Sequence, residues 1–419
     1  MKLINLTLQG LYGNKISLWT LVSVLFVALL PSCKNRLKEK SDEALMKMAL
    51  EISQKNLIID SHIDWPEWLL NFPGDISKRT QQGDFDLERA NEGGLKATMS
   101  VIYINSELGV DDGRELVDSL RRLISFYTET YPDMFAAALN PDEVRSNFSR
   151  QLFSLPVCLE NGSPIGEDIE YLEYLKDIGV VYITLCHDET NQISDSNFDE
   201  YRQWNGLSPF GLEVIRELNR LGIMIDISHS TDSTVYQALR YSSAPVVATH
   251  SSCRHFTPGY ERNLPDTPIK LIADKDGVIM VNFGSMFLDS VCLRNCNEAI
   301  GYLKSQKITY YSQEGAAYLD EFVKSHKVVT DSKQLVNHID YIVHIAGIDH
   351  VGLGSDFNGV GPTQPADVRD VSGYPVIIFE LLRRGYSEDD IRKILSGNFL
   401  RVWDKVIEKG REINKISEI

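Results

Sequence analysis

A (β/α)8 barrel is the fold this sequence predicts, an α/β class of TIM type, and three observations carry the prediction. Short apolar, β-branched runs alternate with helical patterns through most of the 419 residues. Nearly every such run ends on a histidine or a carboxylate. Two of them, Ile223–Ile227 and Val246–Thr249, flank one helical pattern and deliver His229 and His250 from equivalent places. Parallel folds put ligands and chemistry at the carboxyl ends of their strands, so paired imidazoles there point to a metal.

The chain opens with a segment that stands apart from the barrel. Lys2 and Lys15 precede an apolar stretch, Ile16–Leu30, followed by Pro31-Ser32-Cys33. A basic region, an apolar core and a small residue before the cut make an export signal. The ending resembles a bacterial lipobox, which implies that Cys33 becomes the lipidated first residue of the mature protein. An uncleaved membrane anchor is the alternative reading. Residues 34–43 follow as a charged tether, and residues 44–419 as one catalytic domain. This places a membrane lipoprotein in a bacterium, its domain facing the periplasm or the cell exterior.

Within the domain, Asp42–Lys55 is a helical lead-in, and Leu57–Asp60 is a first strand running into His62 and Asp64. Alternation sets those two side chains on the same side of an extended segment. Ala97–Tyr103 is the second strand, followed by a helix over Gly113–Thr130. Leu155–Leu159 is the third, ending on Glu160, and a helix over Glu167–Ile178 stops at Gly179. Val180–Leu185 is the fourth and delivers His187. Ser208-Pro209 opens the next helix with a cap and an N1 proline, and Gly222 closes it. The fifth and sixth strands are the pair above, joined by an N-capped helix from Asp232. Gly277–Asn282 is the seventh. The stretch near 293–331 fits the repeat poorly and reads as an insertion. A helix over His338–Ala346, ended by Gly347, leads to the eighth strand, Val351–Leu353, and on to Asp356. A last helix starts at Ser387 with a capping box to Asp390 and runs through Leu400.

Composition narrows the function. Hydrophobic residues at 43% and charged residues at 24% allow a large core, while a net charge of −17 repels nucleic acid. No C-x-x-C pair is present, so a metal would be held by nitrogen and oxygen. Cys292 and Cys296 are close enough to bridge in an oxidising compartment, whereas Cys158, Cys186 and Cys253 read as small buried residues or free thiols. Three histidines and two or three carboxylates exceed the needs of one catalytic ion and suit two. The assignment is His62 and Asp64 on one ion, His229 and His250 on the other, and Glu160 between them. His255, His326, His338, His344 and His350 read as surface or packing histidines, with His255 near enough to the site to stay a weak candidate. Trp65 and Trp68 suit either the cleft or packing over the barrel mouth, and Asn219 and Gly397-Asn398 read as structural.

The segments DSHID, Glu160-Asn-Gly, YITLCH, GLSPFGLEVIRELNRLGIMIDISH, APVVATHSSCRHF, ERNLPD, GVIMVNFG, HIDYIVHIAGIDHVGLGSDFNG and ILSGNFLRV resemble, in order, the membrane (renal-type) dipeptidases. That resemblance implies a binuclear zinc barrel in which His62, Asp64, Glu160, His229 and His250 are ligands and Glu160 bridges with a water or hydroxide. It further implies that His187 contacts the substrate, Arg262 grips its terminal carboxylate, and Asp356 is the acid/base. The function implied is zinc-dependent dipeptide hydrolysis by that bridging hydroxide, and a homodimer is suggested. A related metallohydrolase for another amide, lactam or ester is the alternative, and a non-catalytic binding lipoprotein the second. The chain departs from the family in Asp60-Ser-His-Ile-Asp64, in Asn358 for a second acid, and in Gly284 where an aromatic is common.

Overall fold

Eight of the ten parallel strands described appear where alternation between apolar runs and helices puts them. They are β1 Ile58–Ile63, β2 Leu95–Tyr103, β3 Val157–Glu160, β4 Val180–Thr184, β5 Met224–Asp226, β6 Val247–Ala248, β7 Val278–Val281 and β8 Val351–Leu353 in the computed structural model. It describes residues 40–308 and 313–417. The expected signal segment and Cys33 therefore lie outside the described residues. Among these residues no helix is long and apolar enough to cross a membrane.

Each strand pairs with the next in parallel register from β1 to β8. The sheet then curls back on itself. Ile63 forms a parallel bridge with Phe357, the Asp64 amide donates to the Phe357 carbonyl at 3.0 Å, and the Asp356 amide donates to the His62 carbonyl at 3.0 Å. First and last strands thus meet along a seam. Strands buried on both faces need apolar side chains on both, which is why they read as continuous hydrophobic runs. Outward residues pack against the helices, and a second cluster inside the barrel joins Ile59, Met99, Val181 and Met224 to Phe399 and Trp403 of the C-terminal helix. That helix plugs the end where the strands begin, so the opposite rim is left to the polar side chains.

Several boundaries differ from the sequence expectation, each for a local reason. The third strand starts at Val157 and follows Pro156, which supplies no backbone donor; before it, Phe153–Ser154 pairs with β2 and with Phe135–Ala136. The helix after β5 is capped by Thr231, whose hydroxyl accepts from Thr234, and Asp232 is its first residue. The helix over Pro209–Leu221 starts and stops as expected: the Ser208 hydroxyl accepts from the Gly211 amide, and Gly222 ends it with a left-handed φ of 67°. The Ser387–Asp390 capping box is present, but the final helix continues to Ser417. The 293–331 stretch contains the end of a helix over Ser290–Gln306 and a second over Gln313–Phe322. Cys292 and Cys296 sit a turn apart on the first, both buried and unbridged.

Candidate metal centre

The rim where the strands end gathers every side chain that the sequence singled out for a ligand. His62 lies within β1 and Asp64 just past it. Glu160 is the last residue of β3, and His187, His229, His250 and Asp356 stand two or three residues beyond β4, β5, β6 and β8. Asp64 precedes a helix over Trp65–Asn71 yet its side chain makes no cap hydrogen bond, so helix capping does not explain it. His229 and Asp356 adopt left-handed backbone, φ 66° and 61°, which turns both side chains at sharp corners. Such conformations cost of order 1 kcal/mol or more outside glycine and cluster at working sites.

Glu160 is the hub. Its Oε1 lies 3.2 Å from Nε2 of both His229 and His250 and 4.0 Å from Nε2 of His187, while Oε2 lies 3.4 Å from His62 Nε2. Asp64 Oδ1 is 3.6 Å from the same His62 nitrogen. Three overlapping sets each bring their ligand atoms within 4.8 Å of one another: His62, Glu160 and His250; Glu160, His187 and His229; His62, Asp64 and Asp356. Their sharing of Glu160 and His62 means that one compact polar nest, rather than separate sites, is built.

Buried charge gives this nest its electrostatic character. Burial pushes Asp64 well above the usual carboxylate range, against the pull of His62. Burial would do the same to Glu160, but His62, His187 and the His229 and His250 ring nitrogens hold it well below. His62 is raised to about 10 because Glu160 and Asp64 outweigh burial, whereas burial keeps His229 and His250 well below their ordinary value. Positive charge is what these carboxylates require. His62 Nε2 and both Asp64 oxygens are buried without a hydrogen-bond partner among the described residues. Orphaned acceptors of this kind, all nitrogen and oxygen, fit divalent cations of the zinc type.

Residues outside the expected set fix the imidazoles. Tyr182 inside the barrel donates its hydroxyl proton to the Ser61 carbonyl at 3.0 Å and stands 2.9 Å from His62 Nδ1. The hydroxyl therefore accepts from that ring nitrogen and leaves Nε2 free for the nest. Thr249 does the same for His250: its hydroxyl donates to Asp226 at 2.7 Å and lies 2.9 Å from His250 Nδ1. Asp226 is held in turn by the Thr184 hydroxyl at 2.6 Å and by the Ser228 and Thr249 amides. Such outer partners set the tautomer and orientation of ligating histidines. The signal in the sequence is slight, a tyrosine and two threonines in strands that otherwise look like plain core.

The remaining expected residues border the nest. Asp356 accepts from the Asn282 amide at 2.8 Å, and burial raises its pKa. Gly359 is a close approach: a Cβ there would stand 2.2 Å from Asp356 Oδ1 and 2.5 Å from Asp64 Oδ2. Arg262 is 3% exposed, donates to Ser251 Oγ and the His250 carbonyl, and has no carboxylate in salt-bridge range among the described residues. A buried guanidinium without a counter-ion is poised for an anion. His187 packs edge-on to Tyr103 and has Asp188 Oδ1 3.2 Å from Nδ1, without the alignment of a hydrogen bond.

Other candidates lie elsewhere. His255 is exposed and stacks on Tyr341, and His338 is a buried packing residue. Trp65 is buried against Phe85 and Tyr127 with its indole donating to Ser100, and Trp68 stacks on Phe72; both also line a cavity of about 500 Å³ that Asn358 borders. Asn219 accepts from the Ser243 and Ala244 amides, and Asn398 donates to the Ile348 and Val351 carbonyls, as structural residues do.

Comparison with known proteins adds an independent line. Residues 46–417 match the family model described as membrane dipeptidase, peptidase family M19. The chain is 28% identical over 379 residues to an uncharacterized dipeptidase of Schizosaccharomyces pombe, covering 85% of this chain and 83% of that one. It is 29% identical over 385 residues to dipeptidase 3 of Rattus norvegicus, covering 89% and 69%. Among solved structures, the probable dipeptidase PvdM from Pseudomonas aeruginosa superposes with a TM-score of 0.78 at 26% identity, over 88% of this chain and 99% of that one.

Proposed function

Since the chain belongs to the membrane dipeptidase family, peptidase family M19, and is a metallodipeptidase, we propose that it hydrolyses dipeptides bearing a free terminal carboxylate with two zinc ions at this rim. The observation that carries the reading is the convergence of His62, Asp64, Glu160, His229 and His250, with His62 Nε2 and both Asp64 oxygens buried and unpartnered among the described residues. His62 and Asp64 would hold one ion, His229 and His250 the other, and Glu160 would lie between. Bound there, the ions supply Lewis acidity toward the peptide carbonyl and acidify a water to near neutral pH.

The chain's own groups do the rest. Arg262 offers its planar fork to the substrate carboxylate, which selects a free C-terminus. His187 donates to the carbonyl oxygen as negative charge develops on it. As the C–N bond breaks, the proton that the leaving amine needs comes from Asp356, which its burial keeps available and which Asn282 holds in place. Water is consumed, its oxygen ending on the new carboxylate and its two protons on the leaving amine, which departs as an ammonium. Metal content measured beside turnover of L,L- and L,D-dipeptides and of cyclic amides tests this. About two zinc equivalents with dipeptide cleavage is expected. Cleavage of the cyclic amides alone would move the protein to the related metallohydrolases, where Gly284 and Asn358 leave room.

Attachment is the second part of the proposal. Cys33 carries lipid after signal removal, residues 34–43 tether one catalytic domain, residues 44–419, with its insertion near 293–331, and that domain works outside the inner membrane of a bacterium. Labelled fatty acid should appear on the wild-type chain and be absent from Cys33→Ala. Light scattering on the purified domain reads whether it forms the homodimer suggested by the family resemblance.

A further inference from the structure

Beside Arg262 lies a second donor that nothing in the reaction so far uses. The Tyr260 hydroxyl is buried and has no hydrogen-bond partner among the described residues, and the Nε of Arg262 shares that condition. Both side chains gather on one ring. Tyr260 stacks on Phe287 at 6.0 Å between centroids with planes 20° apart, and the Arg262 guanidinium carbon lies 5.4 Å from the same centroid. The backbone enforces this, because Asn263, next to Arg262, donates its side-chain amide to the Phe287 carbonyl at 2.7 Å. Gly284 makes the room: a Cβ there would press within 2.8 Å of the Phe287 ring.

The charged or titratable groups that act on the Tyr260 phenol are Arg262, Cys296, Asp188 and Asp356. Arg262 donates to the His250 carbonyl and shares the Phe287 ring with Tyr260, which sets the phenol beside the metal nest. Burial keeps the phenol protonated through any working pH, which makes it a donor with an open direction. Phe198, 40% exposed, lies 6.4 Å from the Tyr260 ring and 5.6 Å from the His229 ring. It extends the apolar wall from Phe287 to the metal ligands. Burying a hydroxyl without a partner is costly, so a ligand that satisfies it and Arg262 together gains twice.

We propose that Tyr260 is a specificity-determining residue whose hydroxyl donates to the substrate's terminal carboxylate alongside Arg262, and that the C-terminal residue's side chain packs on the Phe198–Tyr260–Phe287 wall. This rests on the dipeptidase reading above. The step is binding only, with no bond made or broken. The test is Tyr260→Phe, which keeps the ring and removes the donor, assayed on the metal-loaded enzyme with an aromatic-ended dipeptide and with the corresponding dipeptide amide. KM for the free acid should rise about tenfold or more with kcat nearly unchanged, the scale of a hydrogen bond to a charged group. The amide, which has no carboxylate to read, should change little. Equal loss on acid and amide, or an unchanged KM for the acid, would overturn the assignment. A wild-type enzyme that cleaves no dipeptide would instead sink the parent reading, so the two failures are distinguishable.

Discussion

His229 and His250 aim their Nε2 atoms at one oxygen of Glu160, 3.2 Å from each, and those two nitrogens stand only 2.9 Å apart. Two imidazole nitrogens and a carboxylate oxygen at such range share at most one proton comfortably, whereas a cation among them satisfies all three. Stripping metal with a chelator should therefore abolish activity, and zinc should restore it. Thermal stability should fall on stripping by the several kcal/mol expected of a tight ligand, about 4 kcal/mol at a thousandfold excess over Kd. Glu160→Gln should cost at least about a hundredfold in kcat and lower the metal content, read by elemental analysis.

Thr249 is predicted to act on the metal through His250. Thr249→Val removes the hydroxyl between Asp226 and His250 Nδ1 while keeping the shape of the side chain. Metal affinity, read by competition with a coloured chelator, should fall about 10- to 100-fold. Thr249→Ser, which keeps the hydroxyl, should stay close to wild type.

Asp356→Asn separates acid chemistry from metal holding, since Asp356 also lies within ligand range of His62 and Asp64. Loss of roughly 10²- to 10⁴-fold in kcat with metal content unchanged is expected of a proton donor. A fall in bound metal would make it a ligand instead.

Gly359→Ala should be damaging although the change is a single methyl. That carbon would sit 2.2 Å from Asp356 Oδ1 and 2.5 Å from Asp64 Oδ2, so one carboxylate or the loop must move. Displacements of about 1 Å at reacting groups cost on the order of a hundredfold in rate. Turnover of the folded variant, checked by circular dichroism, reads this.

Acid should destabilise the protein through His338. Its Nδ1 accepts from the Cys253 amide at 3.0 Å and its Nε2 donates to the Leu288 carbonyl at 2.9 Å, an arrangement that needs the neutral ring. Burial lowers its pKa from 6.5 to about 4. A depressed native value means that the stabilisation is complete above pH 6.5 and is lost as pH falls toward 4, about 3 kcal/mol in all. Urea melts of His338→Gln across that window should lose the slope of one proton.

The barrel was legible because its strands are short, apolar and punctuated, and because the proposed ligands follow them directly. That His62, Glu160, His229 and His250 converge could be read from position alone. Tyr182, Thr184, Asp226 and Thr249 could not, since alternation in a strand buried on both faces does not distinguish a side chain supporting a ligand from one filling the core. Pairings within the nest were also hidden: His250 lies with its ring centroid 3.8 Å from that of His62 as well as 5.0 Å from that of His229. Sequence order puts it beside His229, but curvature of the closed sheet brings it near both. Phe198 and Tyr260 come from two different loops and Phe287 from a short helix over Ser285–Leu288, and nothing in their spacing announces that they meet.

The seam between Ile63 and Phe357 has a consequence for assembly. His62 and Asp64 emerge from the ribosome near the beginning of the domain, while the strand that docks beside them and brings Asp356 is made almost last. Until that final partner arrives, these two proposed ligands face an open edge and water, so metal capture at the proposed site has to await a finished chain.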